Sequence, residues 1–365
     1  MLGQNGIISR AQDARNQTTE GQVNTEKAVN ALTDEMEDLI SENDNSGNGG
    51  NSGGSQTTVE NVVIPEGYYY VGGTKAKGIV ISDNVADKEL DKGKENVRRD
   101  LAGNQWVWVP VETPSSLYTT VDEGVAFAGT TGVKTTKYTN TIISSQTRGL
   151  PGDTSSYREP DIVPDSGRDD TNYATAGFSS LANMAENMKN DYEEMIASLE
   201  KYKGFYIGRY ELTANGEKTG ATQTDVDWYT LYKNCTTLAS GTKVKTRMIW
   251  GLQWDATCNW LATSKFDITD SSTWGNYYNN TATGHGSKQN TGYSESWKAN
   301  NIYDFAGNCD EFTQEAYYTY DRVSRGGSTN SFNYSNIPAS YRICYGSPTI
   351  TLSYNGSRPT LYLIP

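Results

Sequence analysis

A run of glycine, serine and asparagine divides this chain into two segments, whatever fold each segment adopts. The run begins at Glu42 as ENDNSGNGGNSGGSQTT, and such a composition behaves as a flexible coil. The segments before and after it must therefore fold separately. We predict a helical stalk over residues 1–41, a flexible linker over 42–60 and one domain over 61–365.

The stalk is predicted from a narrow apolar stripe, in which Val29, Leu32, Met36 and Leu39 recur at helical spacing. The stripe has no partner within its own segment, so the helix must dock elsewhere or stand exposed. No window of the chain approaches the ~20 apolar residues that span a membrane.

The acidic charge is concentrated in front of the domain. The formal net charge is −13, and residues 1–60 hold ten acidic groups against three basic ones, which is −7 of that total. An acidic chain argues against a nucleic-acid partner or an anionic membrane as partner.

Aromatic side chains replace aliphatic ones in the predicted core. The chain has 25 Tyr, 8 Trp, 7 Phe and 36 Gly, with only 35% hydrophobic residues. Such rings bury an apolar body while their polar tip stays hydrogen-bonded. The composition is typical of a turn-rich domain, and we expect the protein to work outside the cell.

Residue types that carry catalysis are scarce. The one histidine, His285, lies in the loop sequence GHGSKQNTG, which excludes a multi-histidine metal site and disfavours His-dependent hydrolysis. The cysteines form no C-x-x-C pair, so a zinc or redox motif has no support. Two alternatives stay open for them, four buried thiols or two disulfides. The cysteines are Cys235, Cys258, Cys309 and Cys344.

Two helices and several short strands are predicted within the domain. The stripe of Met184, Met188, Tyr192 and Met195 predicts a helix whose methionines pack in the core. The other predictions are strands over 64–73, 78–83, 104–112 and 204–213, a charged surface excursion over 87–100, loops over 151–177 and a helix over 250–262.

Five segments occur in the order of a known family. They are GFYIGRYELT (204–213), WGLQWDATCNWLA (250–262), NIYDFAGNCDEFTQE (301–315), RVSRGGSTN (322–330) and GSRPTLYL (356–363). Together they resemble the motifs of the formylglycine-generating-enzyme (sulfatase-modifying factor) family. The resemblance implies an α+β, C-type-lectin-like fold rich in loops, with residues 62–112 in the same domain.

The same resemblance bears on chemistry. The oxidase branch of the family holds copper with two cysteines shortly after its R-G-G-S motif, and the matching positions here are Ser331 and Asn336. We therefore expect the fold without the oxidase activity, and no cofactor is required. Family members often bind calcium at the loop that matches Asn308 and Glu311, which makes these two the candidate calcium ligands; the alternative is that they hydrogen-bond loop backbone. Arg325 is expected to tie loops together through its five donors.

The stretch from Gly326 to Ser357 has a composition of its own. It carries one charged residue, Arg342, in a chain with 21% charged residues, and it is rich in Ser, Thr, Asn and Tyr. Antibody paratopes are similar, because tyrosine supplies contact area at low entropic cost while serine and asparagine adapt their hydrogen bonds. We interpret the stretch as a binding surface; the alternative is that its loops fill gaps in a turn-rich fold.

A second resemblance fits this stretch. The lectin-fold variable proteins of diversity-generating retroelements carry their diversified residues at the same carboxy-terminal location, where mutagenesis targets adenines. The resemblance implies a variable region over about 313–357. The candidate ligand-binding residues are Tyr317, Tyr318, Tyr320, Asn330, Ser331, Asn333, Tyr334, Asn336, Tyr341, Tyr345, Tyr354 and Asn355.

The opening stretch MLGQNGIISRAQDARNQT resembles the segment that follows the hydrophobic stem of pilin-like surface proteins in Gram-positive bacteria. In that family the stem anchors the chain in a membrane or filament. We therefore expect a truncated or mature fragment of a longer protein, with a pilus or membrane anchor upstream.

These observations predict a non-catalytic, surface-displayed protein on the outside of a bacterial cell. Its partner would be a protein or glycan on another cell or phage, bound through the carboxy-terminal loops. Two alternatives stay open. One is a formylglycine-generating-type enzyme with altered chemistry, which would need a redox-active Cys344 or a metal; the other is a structural minor pilin.

Overall fold

The computed structural model describes residues 57–120, 138–140, 157–159, 172–278, 286–317, 321–330 and 337–365. The chain divides into two units, and all of these residues belong to the second, Gln56–Pro365. The predicted stalk over 1–41, most of the predicted linker and His285 lie outside the described residues. None of the described helices has the length and apolar character needed to cross a membrane.

Helices and short strands are both present, joined by long irregular connections, so the domain is α+β and rich in loops. The helices are α1 (Leu181–Tyr202), α2 (Trp228–Cys235) and α3 (Gly251–Thr263). The strands are β1 (Thr58–Val59), β2 (Val62–Val63), β3 (Tyr69–Gly72), β4 (Val80–Ser82), β5 (Gln105–Pro110), β6 (Tyr118–Thr120), β7 (Tyr138–Asn140), β8 (Tyr157–Arg158), β9 (Gly204–Gly208), β10 (Val244–Met248), β11 (Lys298–Ala299), β12 (Ile302–Tyr303), β13 (Asp310–Tyr317), β14 (Asp321–Arg325), β15 (Ile343–Gly346), β16 (Asn355–Ser357) and β17 (Pro359–Leu363).

A six-stranded antiparallel sheet forms the framework, in the spatial order β10-β17-β9-β5-β4-β3. Both of its faces are covered. Trp106 and Trp108 of β5 point into one apolar cluster and Val107 and Val109 into the other, because alternate side chains of a strand point to opposite faces. The strands predicted at 64–73, 78–83, 104–112 and 204–213 are confirmed within these ranges.

The second sheet carries the carboxy-terminal part of the chain. It has the order β15-β14-β13-β16, and β8 pairs with the far end of β13. β13 and β16 run parallel, whereas the other pairs are antiparallel. The chain passes from this sheet to the first one at Arg358, which lies between β16 and β17.

The predicted helices are confirmed by their buried faces. α1 begins after Ser180, whose hydroxyl accepts a hydrogen bond from the Asn183 backbone N–H at 3.1 Å, as expected of an N-cap residue. Its buried face includes Met184, Met188 and Tyr192, as the stripe predicts. α3 is buried on almost every side, which places it in the centre of the domain.

Three local features differ from the sequence predictions. Thr58 and Val59, assigned above to the linker, form β1 and pair with β2, so the folded domain starts earlier than predicted. The stretch 87–100 is not wholly a surface excursion, since Asp87 and Asp91 are buried. The stretch 151–177 contains strand β8, so it is not all loop.

Candidate functional site

The C-terminal segment, defined as residues 326–357, is fixed to the second sheet at both ends. It leaves the sheet after β14, returns to it as β15 and joins it again as β16. Residues 331–336 of this segment lie outside the described residues. The described parts of the segment are thus anchored to the sheet on both sides of them.

The exit from β14 requires glycine. Gly326 and Gly327 have φ angles of 86° and 75°, in the left-handed region that other residues rarely adopt. A Cβ on Gly327 would lie 2.6 Å from the Ile337 carbonyl oxygen. The Gly326 carbonyl accepts hydrogen bonds from the Gly307 N–H and the Tyr277 hydroxyl, both at 2.9 Å. The positive φ angles and the close approach to Ile337 thus explain the two glycines of the R-G-G-S motif.

The return of the segment is held by side chains from the core. Trp254 Nε1 donates to the Ala339 carbonyl at 2.8 Å. Arg325 donates to the carbonyls of Ser340 and Tyr341, at 3.1 and 3.0 Å. The prediction that Arg325 ties loops together is confirmed.

A buried ion cluster lies beneath this return. Arg325 Nη2 is 2.9 Å from Asp255 Oδ1, and Arg342 Nε is 3.0 Å from Glu315 Oε1. Arg342 also pairs with Asp255, and all four side chains are at most 1% exposed. The only charge of the C-terminal segment is therefore part of the interior.

Glu159 joins the cluster from the far side of β13. Its carboxylate accepts the backbone N–H groups of Gly251 at 2.5 Å and Leu252 at 2.8 Å, the first residues of α3. An acidic side chain is favourable there, because the N-terminus of a helix carries partial positive charge. Burial, and next the nearby charge of Glu315, raises the pKa of Glu159 well above its ordinary value.

The predicted ligand-binding residues fall into three groups. Asn330 is exposed, Tyr341 and Tyr354 are half-buried, and Tyr345 lies in β15. Tyr317 is 6% exposed and Asn355 is 5% exposed, because both pair within the second sheet, so their side chains offer no contact surface. The residues outside the described part of the chain are Tyr318, Tyr320, Ser331, Asn333, Tyr334 and Asn336.

The candidate calcium ligands are engaged by protein groups. Asn308 Oδ1 accepts from Asn276 Nδ2 at 3.0 Å, and Asn308 Nδ2 donates to Glu211 at 2.7 Å. Glu311 binds Arg358 through both carboxylate oxygens, at 2.7 and 2.9 Å. Within the described residues, no group of three or more His, Cys, Asp and Glu side chains suits a metal ion. Calcium at Asn308 and Glu311 stays a prediction, and the ion would have to displace these contacts.

The Glu311–Arg358 pair connects the two sheets. Arg358 also donates to the Gly208 carbonyl of β9 at 3.0 Å and to the Tyr303 carbonyl of β12 at 2.8 Å. Three neighbouring carboxyl groups, of Glu211, Asp304 and Asp310, are buried beside it. Burial raises the pKa of Asp304 to about 6 and that of Asp310 to about 7.

Three of the four thiols are buried in the described part of the domain. Cys235, Cys258 and Cys309 are free and buried, which favours the first of the two alternatives for these three residues. Burial raises the pKa of Cys258 to about 12 and that of Cys309 well above its ordinary value. Burial therefore favours the protonated thiol over the thiolate, which is the nucleophilic form.

The described surface has several concavities. A groove of 850 Å³ lies beside the second half of α3 and the end of β5, and its lining combines Lys75, Lys77 and Lys265 with Glu60 and Glu112. A smaller pocket of 280 Å³ lies beside the C-terminal segment, where Lys288 Nζ donates to the Ser353 carbonyl at 2.6 Å.

Sequence reasoning missed the partners of Arg342. Asp255 lies in the helix predicted over 250–262 and Glu315 ends the motif segment 301–315, and nothing local marks either residue as an ion-pair partner. The one available signal was Arg342 itself, because a lone arginine in an uncharged stretch needs a carboxylate when it is buried.

Comparisons with known proteins give only distant likenesses. No protein-family model and no curated protein matches the chain. Among solved structures, Treponema denticola variable protein 1 matches 45% of this chain and 85% of its own length, at 16% identity and a TM-score of 0.31. The U1 and M1 variants of Major Tropism Determinant each match 44% of this chain and 51% of their own length, at 15% identity and a TM-score of 0.31. The chain thus spans about half the length of these determinants.

Likenesses at this score do not carry function, so the proposal below is based on the residues of the C-terminal segment. The formylglycine-generating-enzyme resemblance stays a prediction from the motifs.

Proposed function

We propose that this protein is a non-catalytic ligand-binding protein and that the exposed part of the C-terminal segment is its binding surface. The observation that carries the proposal is the burial of Arg342, the one charged residue between Gly326 and Ser357. Because its guanidinium is paired with Asp255 and Glu315 in the interior, the segment presents no charged side chain to its ligand.

A surface of uncharged tyrosine, asparagine and serine side chains is more typical of a protein interface than of a surface that only contacts water. The centres of protein interfaces are depleted of Lys, Glu and Asp and enriched in tyrosine. Tyr341 and Tyr354 are half-buried, so each ring can be held by the domain on one side and meet a ligand on the other. Asn330 is exposed and can supply adaptable hydrogen bonds.

The residues that anchor the C-terminal segment differ from its exposed ones, so the exposed residues can be substituted. Arg325, Trp254 and the two glycines hold the backbone on either side of residues 331–336, so the exposed side chain of Asn330 is not needed for this anchoring. This arrangement fits a diversified receptor or adhesin with a C-type-lectin-like domain and a variable region over about 313–357.

The proposal also covers the location of the protein and the class of its ligand. The protein would act at the bacterial cell surface, on a protein or glycan of another cell or phage, and without a required cofactor. Calcium at Asn308 and Glu311, and a pilus or membrane anchor, remain part of the proposal. The enzyme alternative would require copper binding with thiol-dependent oxygen uptake. The minor-pilin alternative would require that Tyr→Ala changes over 334–354 damage filament assembly.

Two display libraries of the domain test the proposal. Each randomises five positions without Gly or Pro and is selected against immobilised hen lysozyme and ubiquitin. The first randomises the loop positions Asn330, Ser331, Asn333, Tyr334 and Asn336. The second randomises the exposed α1 positions Ala182, Glu186, Asn187, Asn190 and Ala197.

Because an adaptable uncharged loop is a better paratope than a helix face, the loop library should yield binders at least about tenfold more often. Equal yields, or loss of folded display in the loop library alone, would contradict the proposal.

A further inference from the structure

A small concave site lies at the margin of the C-terminal segment. We define the Tyr293 pocket as the cavity of 280 Å³ lined by Ala221, Thr222, Lys288, Gln289, Asn290 and Tyr293. Its volume is just below the ~300–1,000 Å³ of sites for drug-sized molecules, so it has room for one ring rather than a chain. The Lys288 contact with Ser353 places it next to Tyr354.

One wall of the pocket is an aromatic platform. The Tyr293 ring is 50% exposed and is stacked on the buried Trp297, with 5.6 Å between ring centroids and 26° between planes. The stacking fixes the orientation of the tyrosine ring. A fixed, accessible ring can cover the apolar C–H face of a flat ligand.

Other residues that line the pocket supply polar groups that both donate and accept. The Asn290 side chain is exposed, and Gln289 Nε2 donates to Ser287 Oγ at 2.9 Å, which leaves its amide oxygen as an acceptor. Lys288 Nζ makes two hydrogen bonds, to Ser353 and Thr224, and has a third N–H to offer.

The pocket is rigid because its walls are tied to the buried carboxylates. The Thr291 N–H donates to the Gly220 carbonyl at 2.8 Å and joins the two sides of the pocket. Thr291 Oγ1 donates to Asp304 at 2.9 Å, and Thr222 donates to Glu211. A preformed site loses little conformational entropy on binding.

We infer that the Tyr293 pocket binds one sugar ring. A sugar ring combines an apolar C–H face with hydroxyl groups that donate and accept, and the pocket is lined by a stacked aromatic ring, two side-chain amides and one ammonium group. A purely apolar ligand would leave these polar groups without partners. A phosphate would meet a single lysine that is already engaged twice. The inference rests on the proposed function for its place on the binding face, and it names a saccharide as the ligand class there.

Saturation-transfer NMR with the whole domain tests this inference. The probes are the methyl glycosides of glucose, galactose, mannose and N-acetylglucosamine at millimolar concentration. Saturation should reach the ring protons of at least one glycoside. Tyr293→Ala should weaken that binding at least about tenfold, because the platform is removed, whereas Tyr293→Phe should keep it. Asn290→Ala should also weaken it without affecting the fold, because Asn290 is exposed.

Tyr278→Ala is the matched control, since Tyr278 is also 50% exposed but does not line the pocket. This variant should bind the sugar as the parent does. Absence of saturation for all four glycosides, or equal weakening by Tyr278→Ala and Tyr293→Ala, would overturn the inference. If the loop library still yields binders in that case, the saccharide subsite alone fails and the proposed function stands.

Discussion

Arg342 and Asp255 form an ion pair in the interior of the domain, with side-chain exposures of 0% and 1%. Arg342 comes from a segment that is otherwise uncharged, and Asp255 lies in α3 at the centre of the fold. Glu315 and Arg325 complete the cluster from β13 and β14. The cluster therefore anchors the C-terminal segment through Arg342. The exposed side chains of the segment take no part in these ion pairs.

Arg342→Ala should destabilise the domain strongly. Removing one partner leaves the buried carboxylates of Asp255 and Glu315 short of positive charge, which costs about 3–5 kcal/mol of unfolding free energy. Urea unfolding followed by tryptophan fluorescence measures the loss. Lys92→Ala is the control, because the Lys92–Glu89 pair is exposed and should contribute less than about 1 kcal/mol. Similar losses for the two variants would show that the cluster does not anchor the segment.

Gly327→Ala should be more harmful than Gly93→Ala. Both glycines have a positive φ, 75° and 78°, so alanine meets the same backbone strain at each position, about 1–2 kcal/mol. At Gly93 a Cβ would meet nothing within 4 Å, whereas at Gly327 it would lie 2.6 Å from the Ile337 carbonyl oxygen. Thermal unfolding should show the larger decrease for Gly327→Ala, and equal decreases would refute the close approach.

The domain should lose stability as the pH rises from about 4 to 7. Burial raises the pKa of Asp304 to about 6 and of Asp310 to about 7, above the ~3.9 of an unfolded aspartate. In this window the folded protein binds more protons than the unfolded chain, so each group lowers the unfolding free energy by up to about 1.4 kcal/mol per pH unit.

Asp310→Asn isolates one of these groups. Asp310 Oδ1 is buried without a hydrogen-bond partner, and the amide cannot ionise. The variant should be more stable than the parent at pH 8, with a shallower dependence of the urea midpoint on pH. A stability that is flat or increases between pH 5 and 7 in the parent would count against these shifts.

Cys235, Cys258 and Cys309 should not react with Ellman's reagent in the native protein. All three are buried, and burial raises their pKa values, so little thiolate is available. Peptide mapping by mass spectrometry should find them labelled only after unfolding. Thr349→Cys, at an exposed position, is the positive control. Rapid native labelling of any of these three thiols would contradict their burial.

Sequence patterns predicted the elements whose periodicity is local. The apolar run in 104–112 predicts β5, and the methionine stripe predicts α1, because each pattern lies within one element. Strand β1 was missed because it consists of two residues beside a glycine-rich linker.

The candidate site could be predicted only in outline. Composition located the C-terminal segment, but the burial of Tyr317 and Asn355 follows from pairing with β8 and β13, which are distant in the chain. The ion cluster joins Asp255 to Arg342 across 87 positions, and the partners of a long-range contact leave no local trace in one sequence.

If the proposed function holds, the exposed side chains of the C-terminal segment bind ligand and vary, whereas the buried residues beneath them do not vary. Deep sequencing of this gene and its flanking DNA, across the bacterial population that carries it, tests the claim most directly. We expect substitutions at adenine-containing codons within 313–357, at Asn330 and over 331–336 but not at Arg325 or Arg342, beside a reverse transcriptase gene and a near-copy template. Substitutions spread evenly along the chain, or as frequent at Arg342 as at Asn330, would contradict it.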